Sequence, residues 1–390
     1  MIINNHIVLS PKVHRFYSLL LALSLSLHIF NLGGGDYLKP FHVTAALASV
    51  ITVLYVKKDK TFRTLALFLF CVLVSAVISP VTGAFSGFIN LLIVTLCCYG
   101  VSLVSIEGLL KYLTILVPID LVVLLYTAIT SPTYRFQGFY DDPNYLCTTL
   151  LVFFFICILG YLRLETKYAR YINAASMVVI IVLILMTLSR TGLFCVSFLL
   201  LMFLLGTIKK HLLKVVFVAI LSLFVIHHYA SDFINAEYAL IYERVFDNSD
   251  NIESAGEHRA ELSKQNIRFI LDNPQYVAFG LGPGSTDGEQ AKKISGLAPY
   301  RKSHSRDHNT WTSCFSEYGI VALFFFMLIF YRISRSVKCQ RKGTIKYVCV
   351  GFFVVLLLFS FSIWQMTYLP FWWGVFLLSN FKLSENEYSY

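Results

Sequence analysis

About twelve apolar stretches of roughly membrane-crossing length follow one another along this chain of 390 residues. A spanning helix needs about 20 mostly apolar residues. The stretches lie at 16–33, 40–56, 64–81, 86–106, 109–130, 145–162, 172–189, 192–208, 215–230, 313–331, 347–365 and 368–381. Because a segment in lipid must satisfy its own backbone hydrogen bonds, the pattern predicts an all-α polytopic integral membrane protein with about twelve transmembrane helices.

Composition agrees with this fold class and excludes an ordinary soluble domain, since 57% of the residues are hydrophobic and only 14% are charged. No repeat, low-complexity tract or linker divides the chain, so 1–390 is predicted to be a single integral membrane domain. The nine cysteines lie mostly within apolar stretches and show no metal-ligand spacing or disulfide framework. They are expected to be small buried hydrophobic residues.

The distribution of basic residues predicts the orientation. If the N-terminus is cytoplasmic, 20 of the 32 Lys and Arg residues fall on the cytoplasmic side, where short loops are enriched in them. Both termini are then cytoplasmic, and the first apolar stretch, which lacks a small-residue cleavage site, is an uncleaved span. The formal net charge of +10 is a topology signal. Nucleic-acid binding is not expected, because the basic residues are spread over several loops.

One long polar segment, 231–312, interrupts the apolar pattern. It contains nine Lys and Arg against twelve Asp and Glu, so it is predicted to be an external, periplasmic loop subdomain. Inside it, Glu257–Leu271 is predicted to form a helix that Asp272-Asn273-Pro274 ends. The run Gly280–Gly284 follows no strand and opens no helix, which favours a tight turn at the membrane surface over a dinucleotide-binding loop.

Two arginines are candidate functional residues. Arg190 lies between two apolar stretches at the outer face, where a charge near hydrocarbon is costly and indicates a function. The alternative is an arginine that reaches the lipid headgroups. Arg259 opens the predicted loop helix, and taken alone it would be a solvated surface charge.

A third candidate group precedes the apolar stretch 145–162. Arg135 lies in Tyr134–Phe139, and Asn144 ends the sequence Asp141-Asp142-Pro143-Asn144. The alternative is a turn and helix cap, because Asp, Pro and Asn favour turns. Two adjacent acidic residues without further ligands do not make a metal site, and none is predicted.

His308-Asn309 directly precedes the apolar stretch 313–331, and nine residues separate it from Gly319. The alternative is a histidine that caps a helix. Arg301 and Arg306 nearby instead make a basic, titratable cluster with it.

Several arginines and a histidine at an outer membrane surface suit one kind of substrate. Guanidinium groups bind phosphate oxygens bidentately, and a diphosphate that links a sugar to a polyprenyl chain lies at this depth. Arginines would stabilise the charge that develops as the diphosphate leaves. A neutral histidine could orient or deprotonate an attacking sugar hydroxyl. The residues therefore favour glycosyl transfer from a lipid-linked donor.

With these residues the sequence resembles the superfamily of O-antigen ligases and polymerases, bacterial membrane glycosyltransferases that act on undecaprenyl-diphosphate-linked glycans. The resemblance covers roughly 130–325. It rests on four features in order: Arg135-Phe136-Gln137-Gly138 running into Asp142-Pro143-Asn144; Ser189-Arg190-Thr191-Gly192; Arg259, Asn273-Pro274 and the glycine run; and His308-Asn309 with Gly319. Ala322 departs from the ligase pattern, which usually has another small or hydroxyl residue there.

The resemblance implies a helical bundle with a periplasmic loop subdomain, of the lipid-sugar glycosyltransferase type. It also implies inversion at the anomeric carbon, no metal and no cofactor. Arg190, Arg259 and His308 match the positions that the family regards as essential. Arg135, Asn144, Asn309, Arg301 and Arg306 are then expected to bind substrate.

The first functional hypothesis is an O-antigen polymerase in the bacterial inner membrane, with its active site facing the periplasm. Its partners would be undecaprenyl-diphosphate-linked donor and acceptor, membrane lipids and, as the resemblance implies for a polymerase, a chain-length regulator. The alternative is a ligase that transfers the glycan to lipid A–core. A flippase is a third hypothesis; it should show inverted repeats or broken helices with polar midplane residues, for which Asp120 and Gln365 are the candidates.

Overall fold

The computed structural model describes residues 10–30, 39–56, 59–131, 135–207, 249–286, 309–338 and 343–380, and side chains within them except those of 249–260. These residues form twelve α-helices and no β-strand, which confirms the all-α prediction. The helices are α1 (Pro11–Ser26), α2 (Pro40–Tyr55), α3 (Lys60–Ile78), α4 (Ala84–Gly100), α5 (Ile106–Thr130), α6 (Pro143–Arg163), α7 (Lys167–Met186), α8 (Arg190–Thr207), α9 (Ser249–Asp272), α10 (Thr310–Lys338), α11 (Thr344–Ser362) and α12 (Leu369–Asn380).

Among the described residues, eight helices are long and apolar enough to cross a membrane: α3 to α8, α10 and α11. α2 is apolar but has 16 residues, and α12 has only 12, fewer than the roughly 20 that a span needs. The predicted span at 215–230 lies outside the described residues. The protein is therefore a polytopic membrane protein.

Capping residues set the helix starts. A side-chain oxygen one residue before the helix accepts a backbone N–H of its first turn, which satisfies a donor that the helix itself cannot. The caps of this kind include Ser10, Asp59, Ser105, Asp142 and Thr166. In α6, the Asp142 carboxylate accepts from Asn144 N at 2.7 Å, so Asn144 is fixed in the first turn.

The core of the bundle lies around α6 and α12. Every residue of α6 from Leu146 to Gly160 is buried, as is nearly all of α12. α6 packs against α5, α7, α8, α11 and α12. The peripheral helices instead expose large apolar side chains, such as Val50, Phe70 and Val122, as expected for lipid-facing surfaces. α6 is thus a fixed central element from which the site can be built.

α10 is interrupted at Gly319, whose φ of 81° and ψ of 177° are not helical. Residues 274–286, the inserted segment, pack at this break. Leu281 N donates to Ser316 O at 2.9 Å, Gly282 N to Glu317 O at 2.8 Å, and Ile320 N donates to Val277 O at 2.9 Å. These bonds satisfy backbone groups that the broken helix leaves open.

The predicted loop helix is confirmed and is longer than expected, because α9 covers Ser249–Asp272. Asn273 ends it, with its side-chain amide donating to Phe269 O at 2.8 Å. Gly280, Gly282 and Gly284 all have positive φ, so the predicted tight turn forms. It is buried against α10 rather than exposed, since Leu281 is only 2% accessible.

Candidate active site

The turn between α7 and α8 positions Arg190. Leu188 has a φ of 49°, a left-handed conformation that is uncommon outside glycine and often marks a functional site. The buried Thr187 hydroxyl donates to Ile184 O at 2.7 Å and accepts from Ser189 N at 3.2 Å. Ser189 Oγ accepts from Gly192 N at 3.2 Å and so caps α8. Arg190, half-buried, is the first residue of that helix.

The loop between α5 and α6 pairs with this turn. Phe136 N donates to Met186 O at 3.0 Å, and Arg135 Nε donates to Thr187 O at 3.3 Å. On the other side of the turn, Ser189 Oγ donates to Asn144 Oδ1 at 2.7 Å. Arg135, Asn144 and Arg190, three residues predicted from two separate motifs, are therefore held around one turn. We call Arg135, Asn144, Ser189 and Arg190 the arginine cluster.

A close contact between α6 and α8 fixes the spacing of the arginine cluster. A Cβ atom on Gly192 would lie 2.5 Å from Cys147 Sγ, nearer than real Cβ atoms come. Only glycine therefore lets α8 approach α6 this closely. Cys147 Sγ is itself 3.0 Å from Thr187 Oγ1. The distance between Asn144 and Arg190 thus depends on two small residues one turn deeper.

The start of α10 is the second predicted part of the site. Asn309 caps this helix, because its Oδ1 accepts from Trp311 N at 2.9 Å and from Thr312 N at 3.3 Å. Thr310 Oγ1 donates to Ile363 O at 2.6 Å at the end of α11. His308, Arg301 and Arg306 lie outside the described residues, and Arg259 lies in α9 with an undescribed side chain. Their positions relative to Arg190 stay predictions.

An apolar groove runs between α9 and α10, beginning beside Asn309. It has a volume of about 360 Å³ and is lined by Ile267, Leu271, Trp311, Thr312, Phe315, Ile320 and Leu323. All of these side chains except Thr312 are apolar or aromatic. We call this feature the α9–α10 groove; it follows α10 past the Gly319 break, along the half of the helix nearest the loop.

Comparison with known proteins identifies one matching protein family. Residues 175–327 match the protein-family model described as O-antigen ligase, while a search of curated proteins gave no match. The match over this part of the chain supports the O-antigen polymerase and ligase superfamily. The matched region includes Arg190, Arg259, His308 and Gly319. The resemblance predicted from the motifs is thus confirmed.

Members of this superfamily are glycosyltransferase-like enzymes of lipopolysaccharide biosynthesis. Within the superfamily region, sequence reasoning missed Glu317. It is fully buried in α10, and its Oε1 accepts from the hydroxyl and the backbone N–H of Thr286. Its backbone oxygen accepts from Ser75 Oγ at 2.6 Å. An ionisable residue inside an apolar stretch was the available signal.

The two acidic residues before α6 have different environments. Asp142 caps the helix, while Asp141 is exposed and lies near Lys39, the residue directly before α2. Burial lowers the pKa of Lys39, and the negative charge of Asp141 partly opposes that change. No group of three or more His, Cys, Asp or Glu side chains gathers within the described residues. The described polar groups at this end of the bundle therefore include guanidinium groups, amides and hydroxyls, together with the carboxylates of Asp141 and Asp142 and the ammonium of Lys39.

Proposed function

We propose that this protein is an O-antigen polymerase that transfers a growing glycan from undecaprenyl diphosphate onto a lipid-linked repeat unit. The observation that carries the proposal is the arginine cluster. It gathers two guanidinium groups, a side-chain amide and a hydroxyl at a helix start, all of which suit a diphosphate. The α9–α10 groove supports it, since a polyprenyl chain needs an apolar path from the membrane.

The reaction assigns a role to each residue. The acceptor hydroxyl oxygen bonds to the anomeric carbon of the donor, the bond from that carbon to the diphosphate oxygen breaks, and undecaprenyl diphosphate leaves. Arg190 and Arg259 hold the diphosphate and stabilise its developing charge. His308 takes the hydroxyl proton. Attack opposite the leaving group inverts the anomeric carbon.

The remaining candidates shape the substrate sites. Arg135 and Asn144 fix the turn that carries Arg190, and their exposed atoms contact the donor. Asn309 sets the start of α10 directly after His308. Arg301 and Arg306 extend the positive charge toward the acceptor. A chain-length regulator is a proposed partner, and the periplasmic face is the proposed side of the reaction.

The second candidate function is that of a ligase, because the matched family covers both ligases and polymerases. A ligase would use the same donor but transfer the glycan to lipid A–core. Two sequence details support the polymerase: the Asp141-Asp142-Pro143-Asn144 form before α6, and Ala322 after the α10 break.

A lipopolysaccharide gel from a deletion strain, with and without the gene restored, tests the proposal. Core capped by a single repeat unit, with no ladder, is the expected result. Bare core with lipid-linked polymer accumulating behind it would instead establish the ligase. An unchanged ladder would remove the protein from O-antigen assembly.

A further inference from the structure

The chain between α11 and α12 is buried although it is not helical. Residues 363–368, the α11–α12 connector, include Ile363, Gln365 and Met366, each 0% accessible. Buried irregular backbone at membrane depth occurs where the protein can satisfy its polar groups. The hydrogen bonds of the connector therefore identify the helices that it positions.

One branch of these contacts reaches α10. Thr310 Oγ1 donates to Ile363 O of the connector at 2.6 Å, and Trp311 Nε1 donates at 2.7 Å to Ser360 Oγ in the adjoining last turn of α11. Thr310 and Trp311 follow Asn309, the cap of α10 and the neighbour of His308. The connector thus fixes the first turn of the helix that begins at the proposed base.

The other branch reaches α6. Gln365 Nε2 donates to Thr148 Oγ1 at 3.2 Å, and that hydroxyl donates to Asn144 O at 3.1 Å. Tyr368 OH donates to Tyr145 O at 2.6 Å. Asn144 in turn accepts from Ser189, which caps the helix of Arg190. The connector therefore supports the arginine cluster through the first two turns of α6.

Gln365 is an unusual choice for a purely structural residue here. Its side-chain oxygen Oε1 is buried and has no hydrogen-bond partner within the described part of the chain. A buried acceptor without a partner destabilises a protein, and an apolar residue of similar shape would avoid that cost. Packing alone thus favours methionine or leucine, and the donated bond to Thr148 is the feature that only the amide supplies.

We propose that Gln365 is a positioning residue of the glycosyl-transfer site, which holds the starts of α6 and α10 in one relative arrangement. It acts through Thr148 and Asn144 on the arginine cluster, while Ile363 in the same connector holds the first turn of α10. The inference rests on the proposed function, because that function makes these two helix starts the two halves of one active site. Small displacements of such halves slow a reaction steeply.

The test compares Gln365→Met, Thr148→Val and the double variant in purified, detergent-solubilised protein with lipid-linked repeat units. Each single variant should lose about tenfold or more in kcat. KM for the donor should change little, because the diphosphate contacts remain. The double variant should lose no more than the worse single variant, since both changes break one hydrogen bond. Melting temperature should be unchanged or raised for Gln365→Met.

Thr95→Val is the matched control. Thr95 is buried in α4, and its hydroxyl donates to Leu91 O at 2.7 Å, the same type of intrahelical bond that Thr148 makes. The hydrogen bonds described for Thr95 are to Leu91 and Leu92 of its own helix and not to the connector, so the kcat of Thr95→Val should equal that of the parent protein. Parental kcat in Gln365→Met, or losses that add in the double variant, would overturn the positioning role. Absence of polymer from the parent protein would overturn the proposed function instead.

Discussion

At the scale of single residues, the turn Thr187-Leu188-Ser189 brings two separate sequence motifs together. Sequence reasoning found Arg135, Asn144 and Arg190 because charged and amide groups beside apolar stretches are conspicuous. It did not find that Ser189 joins them, since serine before a helix is an ordinary cap. A hydrogen bond between residues 45 positions apart, such as that from Ser189 to Asn144, cannot be predicted from a local sequence pattern.

Arg190→Lys tests whether the role is bidentate binding. Lysine keeps the charge but not the planar fork, so we expect a loss of about 10- to 100-fold in kcat/KM, equivalent to about 1.5–3 kcal/mol for a charged hydrogen bond. The measurement is polymer formation by protein present at equal level in the membrane. Arg335→Lys, at an exposed position near the other end of α10, should be unchanged. Full activity in Arg190→Lys would show that bidentate binding by Arg190 is not required.

Gly192→Ala tests the spacing below the arginine cluster. The added Cβ would lie 2.5 Å from Cys147 Sγ, so α8 must move away from α6. We expect about 1–3 kcal/mol of destabilisation, together with reduced transfer activity, read as melting temperature and polymer yield. Cys147→Ala in the same chain removes the obstructing sulfur and should restore much of both. No recovery in the double variant would show that Gly192 matters for another reason.

At the scale of elements, hydropathy predicted most helices well and the broken one poorly. Spans such as α3, α5 and α6 could be placed within a few residues, because apolar length is a strong local signal. The break in α10 could not, because the predicted apolar stretch 313–331 runs through Gly319 without interruption. The glycines of the inserted segment are visible in the sequence, but their packing against α10 is not, because this contact joins residues that are far apart along the chain. A broken helix was expected of a flippase; here the gap is filled by protein backbone.

Gly319→Ala tests the break. Its φ of 81° with ψ of 177° is a conformation that essentially only glycine adopts, and a Cβ would lie 2.2 Å from Ala278 O. We expect a fall of about 2–5 kcal/mol in stability from strain and collision together. A thermal shift assay in detergent provides the measurement.

Gly284→Ala is the matched control for this element. Gly284 also has a positive φ of 77°, but nothing lies within 4 Å of its Cβ position. It should therefore lose only the conformational part, about 1 kcal/mol. Equal losses in the two variants would mean that the contact with Ala278 contributes nothing.

At the scale of the whole molecule, the direction of α6 and the distribution of basic residues predict how the protein is oriented in the membrane. α6 begins at the arginine cluster and ends at Arg163, so its two ends are predicted to face opposite sides of the membrane. Because the basic residues gather at the Arg163 side, the site should face the periplasm. This orientation came from the sequence alone, and the fold is compatible with it.

Single-cysteine labelling tests this orientation. Asp141→Cys and Glu165→Cys place exposed thiols beyond the two ends of α6. The eight native cysteines in the described residues are buried, and Cys339→Ser removes the remaining one. An impermeant maleimide should label Cys at 141 from the periplasm and Cys at 165 only after the inner membrane is opened. The reverse pattern would invert the topology.

The inserted segment has a consequence for exchanging parts between relatives. Its backbone bonds to 316–321 join the glycine turn and the first half of α10 into one unit, although a long polar stretch separates them in sequence. A chimera that swaps only the polar loop would leave foreign glycines facing a native helix break. Donor and recipient should instead be joined before 273 and after 323, where ordinary helical backbone tolerates a seam.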